Sequence, residues 1–204
     1  MRISIATPKA IRYACMNFHY AKAVPAVQYG FNIFNDTDEW CGVILYGNGA
    51  NRNIVNEFGV CSGEILELVR CALNGKQGHG NTSKAVAMTM NELHKINPLV
   101  KLLISYADLD QDHAGIIYQA TNWIYLGQTN TDDVSAYIIN GRKTHRKSVY
   151  SKYGRQDFDW ILKNVDPNAE KFYTKGKHKY IYCFDKALKK QYQKKAMPYP
   201  KKAE

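Results

Sequence analysis

Strand-like and helix-like segments alternate along the first 140 residues, and this alternation restricts the fold more than any other feature of the sequence. Segments in which apolar residues recur every second position predict strands, whereas apolar residues three and four apart predict helices. The predicted order is strand, helix, three strands, helix, strand, helix and two strands. This order is typical of an α/β protein with a mixed sheet covered by helices.

The segment after residue 80 shows the pattern most clearly. "SKAVAMTMNELHKIN" predicts a helix with Thr82 or Ser83 as its N-cap, and "LVKLLISYAD" predicts a strand buried on both faces. The chain then turns acidic after Asp108 and continues into a helical pattern, so Asp110 and Asp112 are interpreted as turn and N-cap residues. The strands "WIYLGQT" and "VSAYIING" are expected to pair with each other.

Charge divides the chain into two parts. Residues 1–140 contain 10 lysines and arginines against 12 acids, whereas residues 141–204 contain 18 against 6. We therefore predict a core over residues 1–140 and a basic C-terminal extension over residues 141–204, with a loosely ordered tail after about Lys186. Such an extension is suited to a polyanion such as nucleic acid, although a merely solvated basic surface has the same composition.

No segment approaches the roughly 18 apolar residues of a membrane span. The first residues also lack the apolar region of a signal peptide, and the five cysteines are scattered without a C-x-x-C spacing. These features indicate a cytoplasmic protein with reduced thiols and no membrane partner.

A glycine-rich loop, "GKQGHG", precedes the helix that contains Ser83. Backbone N–H groups of such a loop, together with the positive end of the helix, form a cradle for a diphosphate, although a turn without a ligand has the same sequence. The loop resembles the Q-x-x-G-x-G signature of the Gcn5-related N-acetyltransferases, with Gln77, Gly78 and Gly80 at its defining positions. The resemblance implies that these residues and Ser83 bind acetyl-CoA or a similar acyl-CoA.

The next helix resembles the same family at a second place. In that fold a tyrosine is followed four and five residues later by Gly and Phe, and here Tyr118 is followed by Asn122 and Trp123. The resemblance implies that Tyr118 protonates a departing thiolate. A half-buried aromatic residue with a satisfied hydroxyl would have the same pattern.

A closer resemblance covers most of the chain. "FHYAKAVP", "GVILYGNGAN", "ELVRCAL", "GIIYQATNWIYLG" and "PYPK" together resemble the Mom family of phage and prophage DNA-modification proteins. The resemblance implies an acetyltransferase-like fold with a mostly antiparallel sheet. It also implies conversion of adenine in double-stranded DNA to its N6-carbamoylmethyl form, which protects phage DNA from restriction.

Catalytic residues are assigned from this resemblance. His19, Tyr20, Asp108 and Tyr118 are predicted to form the catalytic pocket, and Asp108 ends a buried strand, where open α/β sheets place ligands. The family's product is attached through a methylene carbon, whereas simple acyl transfer would attach a carbonyl carbon. A metal, with iron as one candidate held by the same four residues, or a different donor is therefore required.

Arg70 lies within an otherwise apolar strand, where an unpaired guanidinium is costly. Its predicted partner is a carboxylate, Glu67 or Asp108, or a phosphate of the cofactor. These alternatives are open at the level of sequence.

The basic third contains six lysines and arginines between Gly141 and Gln156 with no acid, interleaved with Tyr150 and Tyr153. Cations contact phosphates while aromatic rings stack on bases, so this segment is predicted to bind DNA. The predicted DNA-binding residues are Lys22, Arg142, Lys143, Arg146, Lys147, Lys152 and Arg155.

Two other functions are compatible with these patterns. One is a conventional acyl-CoA-dependent N-acetyltransferase that acts on a protein or small molecule. The other is a DNA-binding protein without catalysis. The sequence also leaves the oligomeric state open, a homodimer included.

Overall fold

The computed structural model of the protein describes residues 1–49, 51, 53–129 and 134–201. The last three residues of the predicted C-terminal extension lie outside the described residues. The chain forms two compact units. The first comprises residues 1–106, 115–127 and 179–201, and the second comprises residues 107–114 and the described part of 128–178.

Strands and helices alternate along the described chain. The strands are β1 (Arg2–Ile5), β2 (Tyr29–Phe34), β3 (Trp40–Gly47), β4 (Ile65–Leu73), β5 (Leu102–Asp108), β6 (Ile124–Gln128), β7 (Val134–Ile139), β8 (Arg142–His145), β9 (Glu170–Tyr173) and β10 (Lys177–Cys183). The helices are α1 (Pro8–Phe18), α2 (Ile54–Phe58), α3 (Asn81–Ile96), α4 (Ile116–Gln119), α5 (Arg146–Tyr153), α6 (Phe158–Asn164) and α7 (Lys186–Gln193). A short 3-10 helix (Leu109–Gln111) follows β5.

The first unit is built on a seven-stranded sheet with the order β1-β2-β3-β4-β5-β10-β6. Strands β1 to β4 pair antiparallel, whereas β4 and β5 pair parallel. The parallel pairing runs from Ile65 opposite Leu102 to Glu67 opposite Ile104, and both strands continue beyond it. This mostly antiparallel mixed sheet confirms the predicted fold class.

Helices cover both faces of this sheet. Leu45 of β3 packs against Ala14 and Cys15 of α1, and its neighbour Tyr46 is hydrogen-bonded to Thr89 of α3 at 2.8 Å. Because successive side chains of a strand point to opposite faces, α1 and α3 cover opposite sides of the sheet. Within the described residues, no helix is long and apolar enough to cross a membrane.

The second unit has a three-stranded antiparallel sheet with the order β8-β7-β9. Tyr137 and Ile139 of β7 pack with Val149 of α5 and Ile161 of α6 in a separate apolar cluster. The expected pairing of "VSAYIING" with "WIYLGQT" is therefore wrong, because β7 finds its partners in β8 and β9. The basic segment between Gly141 and Gln156 forms β8 and α5.

Two helices begin at residues that differ from the predicted ones. Gly80 is the N-cap of α3, with a left-handed φ of 73°, and not Thr82 or Ser83. Gly115, also at φ 73°, is the N-cap of α4, whereas Asp112 takes a left-handed turn earlier in the chain. A Cβ atom at position 115 would lie 2.4 Å from the ring of Tyr180, so only glycine fits where α4 begins.

Residues 194–201, which follow α7, are ordered, contrary to the expectation of a loose tail. The Met197 N–H donates to the Tyr125 carbonyl at 2.9 Å, and the Tyr199 hydroxyl donates to the Trp123 carbonyl at 2.7 Å. The side-chain amide of Gln119 donates to the Pro200 carbonyl at 3.3 Å. The residues after α7 therefore hold α4 and β6 within the first unit.

Candidate functional site

Tyr118 of α4 lies buried in the first unit, with 6% of its surface exposed. Its hydroxyl is 2.8 Å from the Ser105 hydroxyl, which is in turn 3.0 Å from the carbonyl oxygen of Leu68. Ser105 and Leu68 are the residues that follow Ile104 and Glu67, where the parallel pairing of β4 and β5 ends. Tyr118 is thus anchored at the point where these two strands stop pairing.

Burial raises the pKa of the Tyr118 hydroxyl well above its usual value, and the hydrogen bond with Ser105 acts in the opposite direction. Cys71, Glu67 and Tyr20 add smaller electrostatic contributions that also raise this pKa. Tyr118 is therefore a neutral phenol at ordinary pH, so its hydroxyl carries a proton, and the same burial disfavours the charged phenolate.

His19 and Tyr20 follow α1, and their rings stack with centroids 4.3 Å apart. The Nδ1 atom of His19 accepts a hydrogen bond from the Ala21 N–H at 3.1 Å, which fixes the ring at the end of the helix. Tyr20 is 48% exposed. Because Tyr20 also contributes to the pKa of Tyr118, the structure brings these two predicted residues into one electrostatic environment.

Asp108 belongs to the second unit, unlike the other three predicted catalytic residues. Its carboxylate accepts the Asp110 N–H at 3.0 Å and thereby caps the 3-10 helix, so Asp108 has a capping role that was assigned to its neighbours. Asp110 instead accepts the Lys175 N–H at 3.0 Å and the Thr174 hydroxyl at 3.3 Å. It closes a turn within the second unit.

In the part of the chain that the structure describes, no group of three or more His, Cys, Asp or Glu side chains is arranged to hold a metal ion. The iron suggested by the resemblance therefore has no support from the geometry.

Asn122 and Trp123 depart from the acetyltransferase pattern, and both have a structural role. Asn122 has φ 59°, the Trp123 N–H donates to the Tyr118 carbonyl at 3.0 Å, and the Asn122 N–H donates to the Gln119 carbonyl at 3.1 Å. These two bonds close the C-terminus of α4 in a Schellman motif, where asparagine is a common substitute for glycine. Trp123 is fully buried and packs on the ring of Tyr118, with centroids 5.1 Å apart.

The glycine loop leads into the N-terminus of α3. The Gln77 side-chain amide donates to the Thr82 hydroxyl at 2.9 Å, so Gln77 closes the loop. The Ser83 hydroxyl donates to the Gly80 carbonyl at 2.9 Å. The N–H groups in the first turn of a helix have no partner within the helix, and α3 has no side-chain cap. They are suited to a diphosphate, which fits the predicted cofactor.

A cavity of about 390 Å³ opens beside this helix end in the first unit. It is lined by Ser83, Lys84 and Asn91 of α3 and by Asn122 and Tyr182 on the opposite side. Lys84 adds a cation that the sequence analysis missed, although its place in the first turn after the glycine loop was the available signal. The cavity thus follows α3 from its third residue onward and combines a lysine with polar side chains.

Arg70 lies on the sheet face covered by α1. Its Nη1 atom donates to the Val69 carbonyl at 2.9 Å, and its buried Nε atom has no hydrogen-bond partner among the described residues. Burial raises the pKa of the Cys15 thiol, and the charge of Arg70 partly offsets this effect. Since Ser83 belongs to α3 on the other face, the structure does not place the two predicted cofactor ligands on one side of the sheet.

The predicted DNA-binding residues have different environments. Arg142, Lys147 and Lys152 are exposed on β8 and α5, near Tyr150, which is 58% exposed. Two other cations are paired within the second unit: Lys143 lies 3.6 Å from Asp110, and Arg155 lies 3.2 Å from Asp157. Arg146 donates to the Val134 carbonyl at 3.4 Å and is partly buried, because it supports the sheet. Lys22, in the first unit, donates to the Asn17 carbonyl at 3.2 Å.

This protein has the fold of the Gcn5-related N-acetyltransferases. The features that define this class are the sheet, the end of the β4–β5 pairing and the helix that contains Tyr118. A variant of the spermidine N-acetyltransferase SpeG from Vibrio cholerae is similar, with a TM-score of 0.52 and 9% identity over 94% of this chain and 99% of that one. The ribosomal-protein-S5-alanine acetyltransferase of Vibrio fischeri has a TM-score of 0.50 and 8% identity over 90% and 93%.

The chain belongs to the Mom protein family, whose model matches residues 1–201. It is 25% identical over 193 residues to the protein named Methylcarbamoylase mom of Escherichia phage Mu, covering 90% of this chain and 76% of that protein. Family and fold together support a modifying transferase.

The left-handed conformation of Asn122 gives a testable expectation for stability. Asn122→Gly should keep or slightly raise the free energy of unfolding, because glycine adopts this conformation without strain. Asn122→Ala should lower it by about 1 kcal/mol, the cost of a left-handed alanine. Urea denaturation of both variants measures these changes. A glycine variant that is clearly less stable than the parent would show that the Asn122 amide forms bonds of its own.

Proposed function

We propose that this protein modifies the N6 amino group of adenine in double-stranded DNA, giving N6-carbamoylmethyl-adenine and protecting phage DNA from restriction in the host cytoplasm. The observation that carries the proposal is the Mom family match over residues 1–201, with a methylcarbamoylase of phage Mu among the relatives. The acetyltransferase fold supports a group transfer to nitrogen.

Adenine N6 is a poor nucleophile because its lone pair is conjugated into the ring, and the duplex hides it. The enzyme therefore extrudes the base into a pocket before the reaction. We assign this pocket to His19, Tyr20 and Tyr118 of the first unit, and Asp108 of the second unit stays a predicted catalytic residue that mutation tests. The buried, neutral state of Tyr118 supports a role as the proton donor to the leaving group.

An acyl-CoA-like donor fits the cradle at the start of α3. A bound CoA-like donor would supply a thiolate leaving group. Because transfer from a thioester would attach a carbonyl carbon to N6, the methylene-linked product requires a donor whose methylene carbon carries the departing sulfur. The diphosphate of this donor is assigned to the first-turn N–H groups and the Lys84 ammonium, with Gly78 and Gly80 allowing close backbone approach. Arg70 lies on the sheet face covered by α1 and is therefore not assigned to this cradle.

We assign DNA binding to the second unit. Its exposed residues on β8 and α5 include cationic side chains and a tyrosine, and the sequence of this segment contains no acidic residue. Arg142, Lys147 and Lys152 are the cations that the structure leaves most exposed there. Phosphate contacts of this kind position a duplex without reading its sequence.

Mass spectrometry of nucleosides from DNA of cells that express the protein tests the proposed function. The wild type should yield N6-carbamoylmethyl-adenine. Tyr118→Phe and Asp108→Ala should reduce its yield by on the order of a hundredfold, the usual contribution of a general acid or base. Tyr46→Phe is the matched control, because Tyr46 is another buried tyrosine whose hydroxyl contacts a side-chain hydroxyl.

Unmodified adenine in the wild-type sample contradicts the proposed function, and turnover of acetyl-CoA without DNA would then favour a conventional acetyltransferase. Normal modification by both variants contradicts only the assignment of the residues.

Donor binding can be tested at the third residue of α3. Ser83→Glu should favour the helix, because an acid suits its N-terminus, but it should weaken CoA binding at least about tenfold by repelling the diphosphate. Ser148→Glu, at the third residue of α5, is the matched control. Isothermal titration calorimetry with CoA measures both variants, and equal affinities would contradict the assigned cradle.

DNA binding should depend on salt through the second unit. Replacing Lys147 and Lys152 with alanine should reduce the slope of log affinity against log salt by about two for an adenine-containing duplex, since two phosphate contacts are lost. The control replaces Lys186 and Lys190, two exposed lysines of α7 in the first unit. Fluorescence anisotropy at several salt concentrations gives the slopes. If the control variant changes the slope more than the Lys147 and Lys152 variant does, the DNA-binding surface lies elsewhere.

A further inference from the structure

Three buried atoms form a short chain at the end of the β4–β5 pairing. The Tyr118 hydroxyl, the Ser105 hydroxyl and the Leu68 carbonyl oxygen are separated by 2.8 and 3.0 Å. Ser105 is 1% exposed, so solvent does not take the place of either contact. The chain connects the phenol of Tyr118 directly to the backbone of β4.

These distances allow two arrangements of the hydroxyl protons. The Leu68 carbonyl only accepts, so when Ser105 donates to it, the Ser105 oxygen accepts the proton of Tyr118. When Tyr118 has no proton to offer, the Ser105 hydroxyl can rotate about its Cβ–Oγ bond and donate to the Tyr118 oxygen instead. The heavy atoms need not move between the two arrangements.

We propose that Ser105 is a positioning residue for Tyr118. The Ser105 hydroxyl accepts a hydrogen bond from the phenol at rest, and it donates a hydrogen bond to the phenolate once Tyr118 has given up its proton. This inference rests on the proposed role of Tyr118 as the proton donor. Neither the family match nor the structural relatives assign a role to this serine.

The proton transfer balances without any further reactant. The O–H bond of Tyr118 breaks, its electron pair stays on the phenolate oxygen, and an S–H bond forms on the departing thiolate. The Ser105 proton then turns from the Leu68 carbonyl to the phenolate. The acceptor nitrogen loses one N–H proton in the transfer, and this proton restores the phenol.

The same fold contains a second chain of this kind. The Tyr46 hydroxyl lies 2.8 Å from the Thr89 hydroxyl, which donates to the Val86 carbonyl at 3.0 Å. Tyr46 and Thr89 are both fully buried. Thr89→Val therefore removes an equivalent hydroxyl from an equivalent buried pair, and it is a control for any loss of stability that follows Ser105→Ala.

The decisive measurement does not need turnover. A fluorinated tyrosine at position 118 titrates in a pH range where the fold persists, and ultraviolet absorbance follows its ionisation. Ser105→Ala should raise the pKa of this phenol by about one unit, the size expected when an anion loses one hydrogen bond. Thr89→Val should leave this pKa unchanged. An unchanged value in the Ser105→Ala variant overturns the proposal.

Activity supplies an independent readout. Ser105→Ala should lower the maximal rate of adenine modification at least about tenfold with little change in the Michaelis constant for DNA, and Ser105→Thr should restore most of the rate. Thr89→Val should modify DNA like the wild type. If Ser105→Ala and Thr89→Val lower the maximal rate equally, Ser105 has only a structural role. If the wild type leaves adenine unmodified, the proposed function fails, and the titration still decides the role of Ser105.

Discussion

Where the parallel pairing of β4 and β5 ends, the Ser105 hydroxyl of β5 donates to the Leu68 carbonyl of β4 at 3.0 Å. An unpaired buried carbonyl costs about as much as a lost hydrogen bond, so this contact lets the two strands part without a large penalty. The Ser105 hydroxyl is also hydrogen-bonded to the Tyr118 hydroxyl, and this contact connects α4 to β4 and β5. A single serine side chain therefore links the sheet to the proposed acid.

Helix α4 has only four residues, which is too short to be stable by its own backbone bonds. It is defined instead at both ends by residues in the left-handed conformation, Gly115 before it and Asn122 after it. The buried ring of Trp123 and the ring of Tyr180 then pack on Tyr118. The position of the phenol is thus set by turns and packing, and much less by helix propensity.

The sequence predicts the strands and the acetyltransferase-like class because alternating apolar residues and two spaced motifs are local signals. It also predicts Tyr118, through its spacing to Asn122. It does not predict Ser105, which reads as one small residue in an apolar strand, because its role depends on a carbonyl 37 positions away. The role of Asp110 was misjudged for the same reason: its partners Thr174 and Lys175 lie 64 and 65 positions later.

The contacts that hold α4 also fix an order of events during synthesis. Gln119 bonds to the Pro200 carbonyl, 81 positions later, and the Trp123 carbonyl accepts from Tyr199, 76 positions later. Translation proceeds from the N-terminus at about 5–20 residues per second, so a nascent chain carries Tyr118 for several seconds before these partners exist. These two contacts of α4 therefore form only after residue 200 has left the ribosome.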